Sequence, residues 1–373
     1  MTGVPLSVLD LVPIPSGRTA TDALRNSIDL AQRTEDFGYR RYWFAEHHLN
    51  PGVAGTSPAV LLAMVAGATS SIRLGSGAVQ MGHRTALSVV EEFGLLDALY
   101  PGRLDLGLGR SGGRPPARQP VAATAGGWTA NGLRIPAGFP IERLLRSPRL
   151  GLTRTLLRQP HAESPDYGEQ VDTVLDLLRG SYRSPDGVEA HVVPGEGADI
   201  DVWILGSSGG QSATVAGANG LRFAANYHVS PATVLEAADG YRAAFRPSAE
   251  LARPYVAVSA DVVVAEDDAT ACRLAAGYGA WVHSIRSGAG AIPFPTPEEA
   301  AALPWTEEDR ELVADRVETQ FVGSPATVAD GLARLRDATD ADELIITTIT
   351  HDHADRVRSY QLLANEWLPS RHD

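Results

Sequence analysis

Residues 6–45 read LSVLDLVPIPSGRTATDALRNSIDLAQRTEDFGYRRYWFA, two apolar runs separated by a segment of helical period. Leu6 to Val12 has the composition of a buried strand. Thr21 to Phe37 sets Leu24, Ile28 and Ala31 on one helical face, and Gly38 supplies a stop. Tyr39 to Ala45 is a second, aromatic-rich strand. Strand, helix and strand in so short a span predict a βαβ unit with parallel strands.

The unit recurs. Ser57-Pro58 offers an N-cap and a first-turn proline for a helix through Ala68. Ile72 to Val79 is the third strand, and the helix from Ala86 to Leu99 carries Val89, Phe93 and Leu96 in register. Pro101-Gly102 turns into a fourth strand, Arg103 to Leu108. From Ser111 to Pro165 the pattern dissolves into Gly, Pro, Ala and Arg, and helical period returns at Val171, Val174, Leu175 and Leu178. Four more strands follow, Val202 to Leu205, Leu221 to Ala225, Tyr255 to Ala265 and Glu343 to Thr348. Their helices are read at Gln211 to Asn219, Pro231 to Phe245, Asp267 to Ala276 and Asp352 to Ala364, with Gly277 to Asp309 as a second insertion. Eight βα units without a linker or an internal repeat predict one α/β domain over residues 1–373. Its fold is a closed (β/α)8 TIM barrel with insertions at about 111–165 and 277–309.

Composition narrows the partners. A formal net charge of −13 opposes the phosphates of nucleic acid and anionic membranes. The longest apolar run, Pro58 to Ala68, is too short to span a bilayer, and the start lacks a basic, apolar leader, so a cytoplasmic protein is expected. Cys272 is the only cysteine, which excludes an internal disulfide and a multi-cysteine metal site. The sequence contains no lysine, so Schiff-base, pyridoxal-phosphate and P-loop chemistry are excluded as well.

In a parallel barrel the chemistry sits at the C-terminal ends of the strands. The polar groups there are Glu46-His47-His48, Gly77-Ala78 with Gln80, Arg110, Ser207-Ser208-Gly209-Gly210, Tyr227-His228 and His351-Asp352-His353. Of the adjacent histidines, alternation lets only one point inward. Gly107 to Gly112 matches GxGxxG, but Gly113-Arg114-Pro115-Pro116 prevents the helix that must follow, so no dinucleotide site is expected. The Ser207 to Gly210 loop ahead of a helix suits a monophosphate, with Arg110 able to close on it. It reads equally well as a plain connection.

Several blocks, in order and at strand ends, resemble the bacterial luciferase-like flavin monooxygenases. They are Leu9 to Pro13, Tyr42 to His48, Ile72 to Gly77, Tyr100 to Arg110 and Leu205 to Ser208. Within that family the sequence is similar to actinobacterial members of aromatic polyketide pathways such as that of mensacarcin. The resemblance implies FMN, supplied reduced by a separate flavin reductase, reaction with oxygen at flavin C4a, and oxygen transfer to a small organic substrate. It makes His47 the catalytic histidine, Gly77-Ala78 a non-proline cis peptide against the flavin and Arg110 the phosphate arginine. Ser208 to Ser212 becomes the phosphate loop and Tyr227 the aromatic residue lining the ring. It also implies a homodimer built on the helices at Pro58 to Ala68 and Ala86 to Leu99. Coenzyme F420 is the variant cofactor. Two other readings stay open at this point: a metal-dependent barrel hydrolase, suggested by His47-His48 and His351-Asp352-His353, and a non-catalytic flavin-binding protein.

Overall fold

The computed structural model describes residues 3–110, 126–140, 147–159 and 161–369. Eight parallel strands form the barrel: β1 (Leu6–Asp10), β2 (Arg41–Phe44), β3 (Arg73–Ser76), β4 (Leu104–Gly109), β5 (Ile200–Gly206), β6 (Arg222–Asn226), β7 (Val256–Val264) and β8 (Glu343–Thr347). Each pairs with the next, and Leu6 opposite Leu344 joins β1 to β8 and closes the ring. Around it run α1 (Ala20–Phe37), α2 (Pro58–Ala66), α3 (Ala86–Leu99), α4 (Tyr167–Arg179), α5 (Gln211–Ala218), α6 (Val234–Ala244), α7 (Pro325–Thr339) and α8 (His353–Trp367).

Strand alternation divides the side chains into two layers. Val8, Tyr42, Phe44, Leu106, Ile204 and Val258 face the helices, whereas Leu9, Trp43, Trp203, Ala224, Ala257 and Ile345 fill the barrel. Trp43 and Trp203 meet edge to face at 4.9 Å. Gly75 makes room for them, since a Cβ there would lie 2.7 Å from Trp43 Cδ1 and 2.6 Å from Asp105 Cβ. Below the tryptophans the strand starts carry charge. Arg41 pairs with Asp105 at 2.7 Å and Glu343 at 3.1 Å, Arg73 and Arg222 hold Asp201 at 3.0 and 2.9 Å, and Trp43 Nε1 donates to Asp105. This network fills the N-terminal end and leaves the other end for ligands.

Two details differ from the sequence reading. The third strand is interrupted: β3 ends at Ser76, the Gly77–Ala78 peptide is cis, as the resemblance implies, and pairing with β4 resumes at Val79–Gln80. The helix that packs between α6 and α8 is α7, not the short helix Asp268–Leu274. Before α7, helices Tyr278–Arg286 and Glu307–Val317 and a strand Phe321–Gly323 intervene, the last pairing with the end of β7. Tyr278, Trp281, Phe294 and Val313 join the cluster that fills the barrel, so this segment caps the β7 side of the mouth.

Candidate active site

The end of β2 sets the first groups. Arg41, Trp43 and Ala45 point inward, so alternation brings His47 inward and sends Glu46 and His48 to the other side. Glu46 is buried and ionised: burial opposes its charge, but donors from His48 (2.8 Å), His83 (2.9 Å) and the Gln80 N–H (3.0 Å) hold its carboxyl at about 2. Gln80 Nε2 also returns to the Glu46 carbonyl at 2.6 Å, and the His47 N–H donates to Gly55 O at 2.7 Å. The backbone beneath His47 is therefore clamped on both sides. The imidazole itself is neutral at pH 7, because burial, reinforced by nearby His48, lowers it to about 4. Its Nδ1 is buried with no hydrogen-bond partner.

The other predicted groups follow around the ring. The Gly77 N–H donates to Phe44 O at 2.8 Å, which seats the cis peptide beside the end of β2. A Cβ at Gly77 would meet Leu9 Cδ1 of β1 at 2.6 Å, and one at Gly109 would meet Ala78 Cβ at 3.1 Å, so the chain is closely packed on both sides of the cis peptide. Gly109 is the register partner of Leu205, which places Arg110 beside the start of the Ser207 loop. In that loop Ser207, Ser208 and Gly210 are exposed, and α5 begins at Gly210 without a side-chain cap. Ser212 lies in its first turn. The Gly209 N–H is engaged by Glu236 at 3.3 Å, and Gln211 reaches Asp166 at 2.8 Å. His47, Gly77-Ala78, Arg110 and the Ser207 to Ser212 loop thus lie along four consecutive strand ends.

Tyr227 is not brought to this arc. It continues the outward parity of Phe223 and Ala225, donates to Arg134 O at 2.7 Å and stacks on Phe321 at 5.9 Å. The inward residue just past the end of β6 is its neighbour. His228 Nδ1 lies 2.5 Å from Ser259 Oγ, and burial, Arg316 and His47 together lower its pKa to about 3. Behind it, Arg316 donates to Tyr278 at 2.8 Å and to Asp261 at 3.2 Å, while Tyr278 donates to Asp261. Sequence reading missed Ser259, Asp261, Tyr278 and Arg316, all on β7 or in the segment after it. Inward alternation from Ala257 would have pointed to Ser259 and Asp261.

His351 and His353 do not converge on His47, since His351 bonds Ser16 O at 3.0 Å and His353 bonds Asp29 at 2.9 Å. Glu46, His48 and His83 could offer a cation three ligand atoms within 4.8 Å of one another. The guanidinium of Arg84 stands 3.9 Å from the same Glu46 oxygen, a positive charge beside the place a cation would take. His83 Nδ1 also lacks the outer partner that ligating histidines usually have. The GxGxxG match ends at Ser111 and Gly112, which with Gly113 to Pro116 lie outside the described residues.

The sequence model of the luciferase-like monooxygenases matches residues 4–129 and 150–342. The chain belongs to this family. As a luciferase-like monooxygenase it is 35% identical over 363 residues to the YvbT protein of Bacillus subtilis (strain 168), covering 97% of this chain and 96% of that one. It is 33% identical over 360 residues to a luciferase-like monooxygenase of Escherichia coli (strain K12), covering 96% of each. The crystal structure of apo-MsnO8 superposes with a TM-score of 0.79 at 31% identity and covers 98% of both chains. No helix among the described residues is long and apolar enough to cross a membrane.

Proposed function

We propose that this luciferase-like monooxygenase uses reduced FMN and oxygen to hydroxylate or epoxidise a small organic substrate, with secondary metabolism of the polyketide type as its setting. The observation that carries the proposal is the continuous arc from His47 through Gly77-Ala78 and Arg110 to the Ser207 loop. Its donor set fits a flavin monophosphate: the exposed Ser207, Ser208 and Gly210 at an uncapped helix start suit a dianion, and Arg110 stands at the end of the next strand. The small side chains of Gly77-Ala78 would let a flat ring approach the backbone there. Bound reduced FMN supplies the electrons that activate oxygen. The chain positions the cofactor, excludes water with the segment after β7, and holds a proton at His47 Nε2 toward the reacting atoms. Tyr227, held outward, has no part in this.

Arg110→Ala is expected to weaken FMN far more than riboflavin, on the order of tenfold or more. Calorimetric titration of FMN, riboflavin and F420 tests cofactor and contact together. Equal losses for FMN and riboflavin remove Arg110 from the phosphate, and preference for F420 overturns the FMN reading.

Reducing equivalents come from a separate flavin reductase. With NADH, FMN and oxygen alone the protein should not turn over, and rapid NADH consumption would refute this. A homodimer through α2 and α3 is also proposed, because Val60, Met64, Leu87, Leu95 and Leu99 are exposed on them. Light scattering should give twice 39.5 kDa, and a monomer would overturn it.

A further inference from the structure

The protons on two facing imidazoles can be placed from their surroundings. Ser259 is buried and its one hydroxyl proton has the Ala225 carbonyl within reach at 3.3 Å, an acceptor other than the imidazole. Its Oγ is then left to receive the Nδ1–H of His228 at 2.5 Å. A further bond from the His228 N–H to Ser259 O at 3.1 Å fixes the ring's place on the strand. In that arrangement neutral His228 carries a bare Nε2. His47 is the converse case. A proton on its buried, partnerless Nδ1 would be a donor without an acceptor, more costly than an unused lone pair, so the proton sits on Nε2. Neither Nε2 is hydrogen-bonded by any described residue.

We propose that His228 is a specificity-determining residue whose Nε2 accepts a hydrogen bond from a substrate hydroxyl, opposite the Nε2–H donor of His47, so that the site selects uncharged, hydroxylated organic molecules. The proposal rests on the barrel mouth being the substrate chamber of the monooxygenase. The charges facing His228 leave no net attraction for an ion. Arg316, from the helix 307–317, is matched by Asp261 on β7, with Tyr278 of the helix 278–286 bonded to both. His47, inward at the end of β2, is near enough to act on its charge and is itself uncharged at pH 7. Ser259 is a positioning residue, because it sets which nitrogen of His228 is bare.

A site built to pair a hydroxyl rejects the analogue without one, since its own polar group is then left unpaired. Nitrogen NMR of histidine-labelled protein, assigned with His228→Gln and His47→Asn, reads the tautomers directly. The expected result is Nδ1–H at His228 and Nε2–H at His47, unchanged between pH 6 and 8, with Ser259→Ala releasing His228 to the Nε2–H form. An Nε2–H at His228 in the wild type overturns the proposal. Calorimetry with 1-naphthol and 1-methoxynaphthalene, on the full chain with and without FMN, should show naphthol binding about tenfold tighter. His228→Phe and the milder Ser259→Ala should erase that preference while FMN affinity holds. Equal affinities, or no binding of either, overturn the substrate class. Loss of wild-type FMN binding with the tautomers as assigned would instead sink the cofactor reading and leave the imidazole geometry standing.

Discussion

His47→Asn is expected to lower product formation by a factor on the order of 10² to 10⁴ while FMN affinity stays nearly unchanged. The histidine reaches the mouth on a backbone clamped by Gly55 O below and by the Glu46–Gln80 pair beside it. None of those bonds uses the imidazole, so Asn should leave the loop in place. The amide is shorter, falls away from the position of Nε2 and cannot relay a proton. Because burial holds the imidazole at about 4, the neutral form predominates above that pH, and wild-type activity should show no fall from this group between pH 6 and 8. Product assayed by mass spectrometry, alongside FMN titration of the same sample, checks the result. Normal yield from a folded, flavin-binding variant would reduce His47 to a packing residue.

That His47, rather than His48, would be the inward imidazole was legible from alternation along Tyr42 to His48, because a strand end admits no other pattern. The same rule applied to Phe223, Ala225 and Tyr227 would have sent Tyr227 outward and His228 inward. The resemblance drew attention to the aromatic residue instead, and its place under Arg134 and Phe321 depends on segments far away in sequence. The barrel strands were readable because each is a short apolar run followed by a periodic helix. The seventh unit was harder, since some sixty residues separate β7 from its helix and a nearer candidate, 268–274, has a good Asp267 N-cap. Ser324-Pro325 with Val328, Leu332 and Leu335 on one face carried the needed signal. His83 escaped because its role as a donor to Glu46 joins two strand ends that no local pattern connects.

The largest expected loss of stability comes from the opposite end of the barrel. Arg41 is 1% exposed and bonds Asp105 and Glu343, both wholly buried. Removing one partner from such a group leaves charge stranded in a region of low polarity, at about 3–5 kcal/mol. Arg41→Met keeps most of the side-chain volume under the Trp203 ring, over which the guanidinium now lies at 4.9 Å, so packing alone cannot account for a large effect. Asp105 retains Arg73 and Trp43, whereas Glu343 is left with the hydroxyls of Ser7 and Tyr255. A fall in Tm of roughly 5–10 °C at pH 8 is therefore expected. Glu343→Gln removes the stranded charge and should recover part of the Tm when added to Arg41→Met. Calorimetric melting of the three proteins at pH 8 decides the matter: an Arg41→Met melt matching wild type would mean that the floor of the barrel is held by its tryptophans and not by its charges.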